Sequence, residues 1–287
     1  MDAHEQSSPS RSALHVALRR AAHQLYDAPP LVLDDPIAVA ILGPHAANLE
    51  RTPGRNPAHK PRPHSTGLRA FLVARSRYAE DQLAQAVERG VTQYVLLGAG
   101  LDTFAHRNPY PNLRVFEVDH PATQQWKRDL LQDSGLPSPA RLVYAPVDFE
   151  RHSLADQLAI AGFDSSVPSL FAWLGVVPYL TREAFRRTLA FLSAQPRESG
   201  VVFDYSQPRA ALSPQEQQAR DSLSSRVQQA GEPFHLFFTP DEAAEELTTF
   251  HNIEDLGAAE INARYFASRS DGLKLHGHTG RLLSAWL

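Results

Sequence analysis

The chain of 287 residues contains no cysteine. That absence excludes disulfides, thiolate metal sites and cysteine nucleophiles. Long apolar runs are missing too: no segment approaches the ~18 consecutive apolar residues that mark a transmembrane helix. Neither sign of charge is in large surplus. Lys and Arg number 28 against 32 Asp and Glu, a net charge of −4, which argues against a general nucleic-acid binder. Residues 1–10 are polar and carry no apolar core of a signal peptide, so a cytoplasmic setting is expected. There are no internal repeats and no low-complexity tracts. Against these absences stands a hydrophobic content of 43%, enough for a sizeable core. At this length the core belongs to one large domain with extra segments, or to two small ones.

The most informative stretch runs from Tyr94 to Thr103, followed by Val115–Asp119. It has the pattern of a buried strand, a tight turn at Gly98 and Gly100, a helix start, and a second strand ending in an acid. Asp119 lies 19 residues after Gly100. In doubly wound α/β folds this arrangement holds an adenosine: the glycines let backbone approach the ligand, and the acid accepts from ribose hydroxyls. The third glycine of the dinucleotide fingerprint is replaced by Thr103, so no pyrophosphate need be cradled. The balance moves from NAD towards S-adenosylmethionine (SAM), which has a ribose and no phosphates.

Around this stretch the chain alternates. Strands are expected at 93–97, 114–118, 142–145, 169–174 and 200–204, with helices near 103–107, 121–133, 153–161 and 182–194. Strands near 252–256 and 281–286, with a helix near 258–268 between them, complete an α/β fold with a doubly wound, mostly parallel, seven-stranded sheet. A helical insertion is expected near 209–232, and Thr239-Pro-Asp-Glu242 is a capping-box helix start. Residues 1–11 are expected to be disordered. Helical spacing follows from Leu14 to Leu25, and a short helix after Asp35-Pro36. The stretch 43–66, with prolines at 44, 53, 57, 61 and 63, has the composition of a loop. Its basic residues Arg51, Arg55, Lys60 and Arg62 either meet an anionic substrate or belong to a solvated linker or lid. Residues 1–66 thus form an N-terminal helical lid segment, and 67–287 the main domain.

Several residues carry candidate chemistry. Arg75 falls on the apolar stripe of a helix expected over 67–89, where a guanidinium requires a carboxylate. That partner is either the amino-acid carboxylate of SAM, held bidentately, or a protein acid such as Asp102 or Asp148. Arg77, one turn from Asp81, is half of a surface pair. Asp119 is a ribose ligand or the cap of the helix after His120. Asp148 accepts from the adenine amino group, with Phe149 against the ring, or is likewise a helix cap. Trp173 and Tyr179 line the cleft at the end of the fourth strand or belong to the core. Asp204-Tyr205 closes the fifth strand, where a polar group can face substrate. His276 and His278 have metal-pair spacing but no third ligand is placed, so no metal is expected.

Together the motifs Ala74–Asp81, Leu97–Thr103, Val115–Pro121, Trp173–Leu180, Val202–Tyr205 and Ile261–Phe266 make the chain, from about Ser12 onward, resemble the leucine carboxyl methyltransferase-like family. The nearest likeness is to a bacterial branch described as O-methyltransferases of secondary metabolism. The resemblance implies a Rossmann-like class I methyltransferase fold and SAM as cofactor. It makes Arg75 the clamp for the SAM carboxylate, Gly98 and Gly100 the cofactor turn, Asp119 the ribose ligand, and Asp148 with Phe149 the adenine contacts. One departure stands out. The carboxyl methyltransferases carry a cofactor-binding glutamate after the fourth strand, whereas this chain has Ala172-Trp-Leu-Gly there and no acid. Backbone carbonyls and Trp173 are expected to take its place. The departure also favours a small-molecule acceptor over the family's protein substrate.

The expected reaction is methyl transfer to an oxygen, governed by positioning. A carboxylate acceptor needs no general base. A phenol, with a pKa near 10, would use one, with His120, His235 or His276 as candidates. Tyr179, Tyr205, Arg264 and Tyr265 are expected to orient the acceptor. The expected partners are a small carboxylate or hydroxyl compound, without nucleic acid or membrane, and apolar segments in the C-terminal third allow a homodimer. Two rivals remain: a nucleotide-dependent oxidoreductase and a non-catalytic SAM-binding module.

Overall fold

The computed structural model describes residues 10–51, 63–148, 152–229 and 233–287. Seven strands form one sheet: β1 (Gln93–Leu97), β2 (Arg114–Asp119), β3 (Leu142–Pro146), β4 (Ser169–Trp173), β5 (Gly200–Ser206), β6 (His251–Leu256) and β7 (Gly280–Trp286). Their order is β3-β2-β1-β4-β5-β7-β6. The first five pair in parallel, and β7 runs antiparallel to both β5 and β6. The order steps outward from β1 in both directions, so the cleft where it reverses lies above the C-terminal ends of β1 and β4.

The expected α/β architecture is borne out, and the reason is visible in the strands. All five residues of β1 and of β4 are buried. Because successive side chains point to opposite faces, such strands need helices on both sides. On one face Tyr94, Leu96, Leu170 and Ala172 pack with helix α2 (Pro63–Glu88), α3 (Phe104–Arg107) and α9 (Ala258–Tyr265). On the other, Val95, Leu97, Phe171 and Trp173 pack with α5 (Leu154–Ile160), α6 (Arg182–Ser193) and α8 (Pro240–Glu246). A third cluster joins α1 (Arg11–Tyr26) to α4 (Pro121–Asp133) through Ala17, Ala21, Ile41, Leu42, Leu130 and Leu131, with Leu101 of the glycine turn among them. Helix α7 (Pro214–Gln229) is the inserted element, and α8 opens with the capping box at Thr239 and Glu242.

The N-terminal third differs from expectation at two places. Residues 43–51, expected as the start of a loop, belong to 3₁₀ turns over Ala40–Arg51 that are kinked at Gly43, and bury Leu49 beside Ile41 and Leu42 of the expected short helix. The apolar Leu49 outweighs the proline signal. Residues 10 and 11, expected to be disordered, instead open α1: Ser10 caps it by accepting from the Ala13 N–H at 3.2 Å. The remainder of the proline-rich stretch, 52–62, lies outside the described residues, as do 1–9, 149–151 with Phe149, and 230–232. No helix among the described residues is long and apolar enough to cross a membrane.

Candidate cofactor cleft

The cleft is assembled by contacts that run from the end of β2 to the end of β5. After β1 the chain turns at Gly98, whose N–H and that of Ala99 both donate to the Val118 carbonyl of β2, at 2.8 and 3.0 Å. Gly98 has φ +71°, and a Cβ there would stand 2.3 Å from Val176 Cγ2. Both the left-handed backbone and the close approach of the chain leaving β4 therefore require glycine. Gly100 follows, with its N–H donated to Asp119 Oδ2 at 2.6 Å; Asp119 Oδ1 accepts from the His120 N–H at 2.7 Å. Burial pushes the Asp119 carboxyl above the usual range, and these two N–H donors pull it back part of the way.

These contacts decide one of the open alternatives. The cap of α4 is His120, whose Nδ1 accepts from the Ala122 N–H at 3.2 Å. Asp119 is instead turned onto the glycine loop. Asp148 is not the cap of α5 either, because Ser153 takes that place. Asp148 sits half-buried just beyond β3, next to Val147, whose N–H donates to the Asp119 carbonyl. The two acids thus stand on adjoining strand ends.

Arg75 faces the cleft from α2. Its partner is neither Asp102 nor Asp148 but Asp204 of β5: Nη1 donates to Oδ2 at 3.1 Å, and both side chains are under a tenth exposed. Asp204 Oδ1 accepts from the Gly175 N–H at 2.5 Å. Gly175 has φ +71°, and a Cβ on it would lie 2.7 Å from Arg75 Nη2. Gly175 was assigned no role from sequence, and Asp204 was singled out only as a polar group able to face substrate, not as the partner of Arg75. The signal lay in the glycine one step past a buried strand and in an acid inside the apolar segment Val201–Tyr205.

The acceptor candidates are scattered. Tyr179, in the turn after β4, keeps its ring 5.1 Å from Phe234 and donates to Ser12 Oγ at 3.3 Å. The first turn of α1 crosses the cleft here: the Ser10 N–H donates to Thr123 Oγ1, and a Cβ on Gly100 would stand 3.1 Å from Ala13 Cβ. Trp173 lies elsewhere. It points to the α6 face, fully buried, with its ring stacked on Phe185 at 5.2 Å. Tyr205 also belongs to that face and donates to Asp255 Oδ2 at 2.6 Å. Arg264 and Tyr265 are not brought to the cleft. Arg264 pairs with Glu254 on β6, and Tyr265 donates to Asp81 at 2.8 Å, six residues beyond Arg75 and so roughly 9 Å down α2. Arg264 borders a groove with Arg89, Glu198 and Leu287, at the opposite end of the sheet.

Behind the glycine turn is a buried charge network that sequence reasoning did not find. Arg20 of α1 donates to Asp35 at 2.6 Å, to Asp102 at 2.8 Å and to Thr103 Oγ1 at 2.8 Å. Lys127 of α4 reaches the Asp102 carbonyl and Glu117 of β2. Burial alone would raise the Asp102 carboxyl, but Arg20, Arg107 and Lys127 outweigh it and hold it at about 2. The network fastens α1 to the loop that carries Gly98 and Gly100.

The donor set suits an adenosine joined to an amino acid. Backbone turns closely at Gly98 and Gly100, acids stand at the ends of two adjacent strands, and a directly paired cation and anion, Arg75 and Asp204, lie beside them. The family model described as leucine carboxyl methyltransferase matches residues 13–193. A Bacillus subtilis relative, provisionally named S-adenosyl-L-methionine-dependent methyltransferase YktD, is 36% identical over 206 residues, 70% of this chain and 67% of the relative. A Mycobacterium avium relative with the same provisional description is 30% identical over 266 residues, 87% of this chain and 81% of the relative. In fold the chain is similar to the crystal structure of a DUF574 family protein from Streptomyces avermitilis, with a TM-score of 0.59 and 16% identity over 97% of both chains. With SAM as methyl donor, the chain is a methyltransferase and belongs to the leucine carboxyl methyltransferase family.

Proposed function

We propose that this chain methylates an oxygen of a small molecule, with a carboxylate as the preferred acceptor and a methyl ester as the product. Bound SAM supplies a methyl group already activated by its sulfonium. In this reading Arg75 takes the amino-acid carboxylate, Gly98 and Gly100 allow backbone close to the adenosine, Asp119 accepts from the ribose hydroxyls, and Asp148 accepts from the adenine amino group. Phe149, assigned from the resemblance to the ring, lies outside the described residues. The described part of the N-terminal segment acts as the cover, with Ser10–Ala13 of α1 across the cleft. Tyr179 and Phe234 form an apolar wall beside the acceptor.

The observation that carries the carboxylate reading is the commitment of the proton acceptors around the cleft. His120 Nδ1 receives the Ala122 N–H, and Asp119 receives two backbone N–H groups. Asp204 is paired with Arg75 and Gly175. The Tyr205 phenol is pushed well up by burial and by Asp255. An acceptor that arrives ionised makes no demand on any of them. A phenol would draw on His235 or His276.

The test mixes the protein and SAM with matched panels of small carboxylic acids and phenols, and reads S-adenosylhomocysteine release and product mass. Ester formation is expected. Methyl ethers alone, abolished by His235→Ala or His276→Ala, would replace this reading with the phenol one.

A further inference from the structure

The missing glutamate after β4 leaves a question about charge. SAM ends in an amino acid with a carboxylate and an ammonium, and Arg75 answers only the first. The sheet supplies an answer to the second. In the parallel pairing of β4 with β5, Trp173 stands opposite Phe203. Continued by one residue, the register places Leu174 beside Asp204. Both point to the α2 face, since Trp173 and Phe203 both belong to the opposite cluster. The acid that the strand after β4 lacks is thus present one strand over, at the same height and on the same face.

We propose that Asp204 binds the ammonium of the SAM amino-acid group, so that the Arg75–Asp204 pair receives both of its charges. The assignment rests on the reading of Arg75 as the carboxylate clamp. Three features of the geometry carry it. The pair is buried and joined by one hydrogen bond of 3.1 Å, which leaves Arg75 further N–H donors. Each Asp204 oxygen is engaged by one donor, Gly175 N–H on Oδ1 and Arg75 on Oδ2, so each keeps a lone pair to accept another. A zwitterion set against a neutral ion pair adds no net charge to the buried site, and each buried charge gains an opposite partner. The Gly175 N–H holds the carboxylate in place, and glycine there leaves room for Arg75 Nη2 to approach.

The test is a binding cycle that needs no acceptor. Wild type, Asp204→Asn and Asp204→Ser are titrated with S-adenosylhomocysteine, with its analogue lacking the α-ammonium, and with methylthioadenosine, which lacks the amino acid. Removing the charge should weaken S-adenosylhomocysteine binding about 10- to 100-fold relative to the analogue. Methylthioadenosine affinity should stay within about twofold, which also reports that each variant is folded. Serine, which keeps an acceptor for the Gly175 N–H without the charge, should show the same loss. If both variants weaken the analogue as much as S-adenosylhomocysteine, Asp204 only positions Arg75 and Gly175 and the assignment falls. Unchanged affinity for all three ligands removes it as well. A wild type that binds none of them would overturn the cofactor reading itself.

Discussion

The two flanks of the sheet handle charge in opposite ways. On the β1–β2 flank, Arg20, Asp35, Glu117 and Lys127 have side chains no more than 4% exposed and are paired with one another or, for Arg20, also with Asp102, 82 residues away. On the β6–β7 flank, Arg264 and Glu254 are each 38% exposed and ten residues apart. Burying charge is costly unless the geometry satisfies it, and removing one partner leaves the other stranded. The first network therefore dictates where α1 sits on the glycine turn. The second is a surface pair of the kind that contributes little. Both flanks carry residues from motifs that resemble one family, yet only one flank couples its charges to the cleft.

The largest expected effect comes from breaking the buried flank. Arg20→Ala takes from Asp35 and Asp102 the shortest ion pair each has, leaving Asp35 with Arg107 and the Thr103 hydroxyl and Asp102 with the Phe104 N–H, at a cost of about 3 kcal/mol. Denaturant titration should show the loss in the midpoint. SAM affinity should fall with it, because α1 and the loop of Gly98 and Gly100 are fastened through the same guanidinium. A variant as stable as wild type would separate the network from the fold.

Asp119→Asn comes next. The side chain keeps its shape but loses the charge that receives the Gly100 and His120 N–H groups. Hydrogen bonds to charged groups are worth about 1.5–3 kcal/mol, so SAM affinity should drop roughly 10- to 100-fold. Calorimetric titration checks it. Retained affinity would move the ribose to another acceptor.

How far the sequence disclosed all this depends on whether the contact is local. The glycine turn, the acid 19 residues on, and the strand–helix alternation are local patterns, and the fold followed from them. Arg75 was legible because a cation on an apolar stripe needs a partner. The partner was not, because Asp204 lies 129 residues away and its neighbourhood depends on the pairing of β4 with β5. Trp173 illustrates a one-residue phase error: strand alternation sends its ring to the α6 face and gives the cleft-side position to Leu174. His120 displaced Asp119 as helix cap, a choice between adjacent residues that composition does not make. Arg264 and Tyr265 came from a motif likeness, and their partners Glu254 and Asp81 are acids that no periodicity singles out.

A pH titration sharpens the comparison at a third place, the inserted helix α7. Glu216 in its first turn accepts from the Ser213 N–H and hydroxyl and from the His278 N–H, which ties the insertion to the loop before β7. Burial is the largest single influence and opposes ionisation, but the Ser213 and His278 donors together outweigh it and hold the carboxyl at about 2. A folded-state value below the unfolded one, about 4.3, means the ionised form stabilises the native state. That contribution is complete above about pH 4.3 and disappears as pH falls through 2. Glu216→Gln should therefore make α7 easier to proteolyse at pH 7. Well below pH 2 its hydrogen exchange should match wild type, because both then lack the charge. A difference that persists there would locate the tether in shape instead of charge.

The smallest effect is expected on the exposed flank. Arg264→Ala removes a pair with Glu254 and a guanidinium lying 5.6 Å over the Tyr78 ring. Exposed pairs of this kind are worth about 0–1 kcal/mol, so the denaturation midpoint should hardly move. Glu254 keeps the Tyr78 hydroxyl as a donor at 2.8 Å, which limits the penalty for the stranded carboxylate. Because Arg264 borders the groove at the far end of the sheet, the acceptor KM and the SAM affinity should both equal those of wild type. A raised acceptor KM with unchanged SAM affinity would bring Arg264 back to the substrate and require α9 to move toward the cleft, which would make the β6–β7 flank the part that rearranges when the acceptor binds.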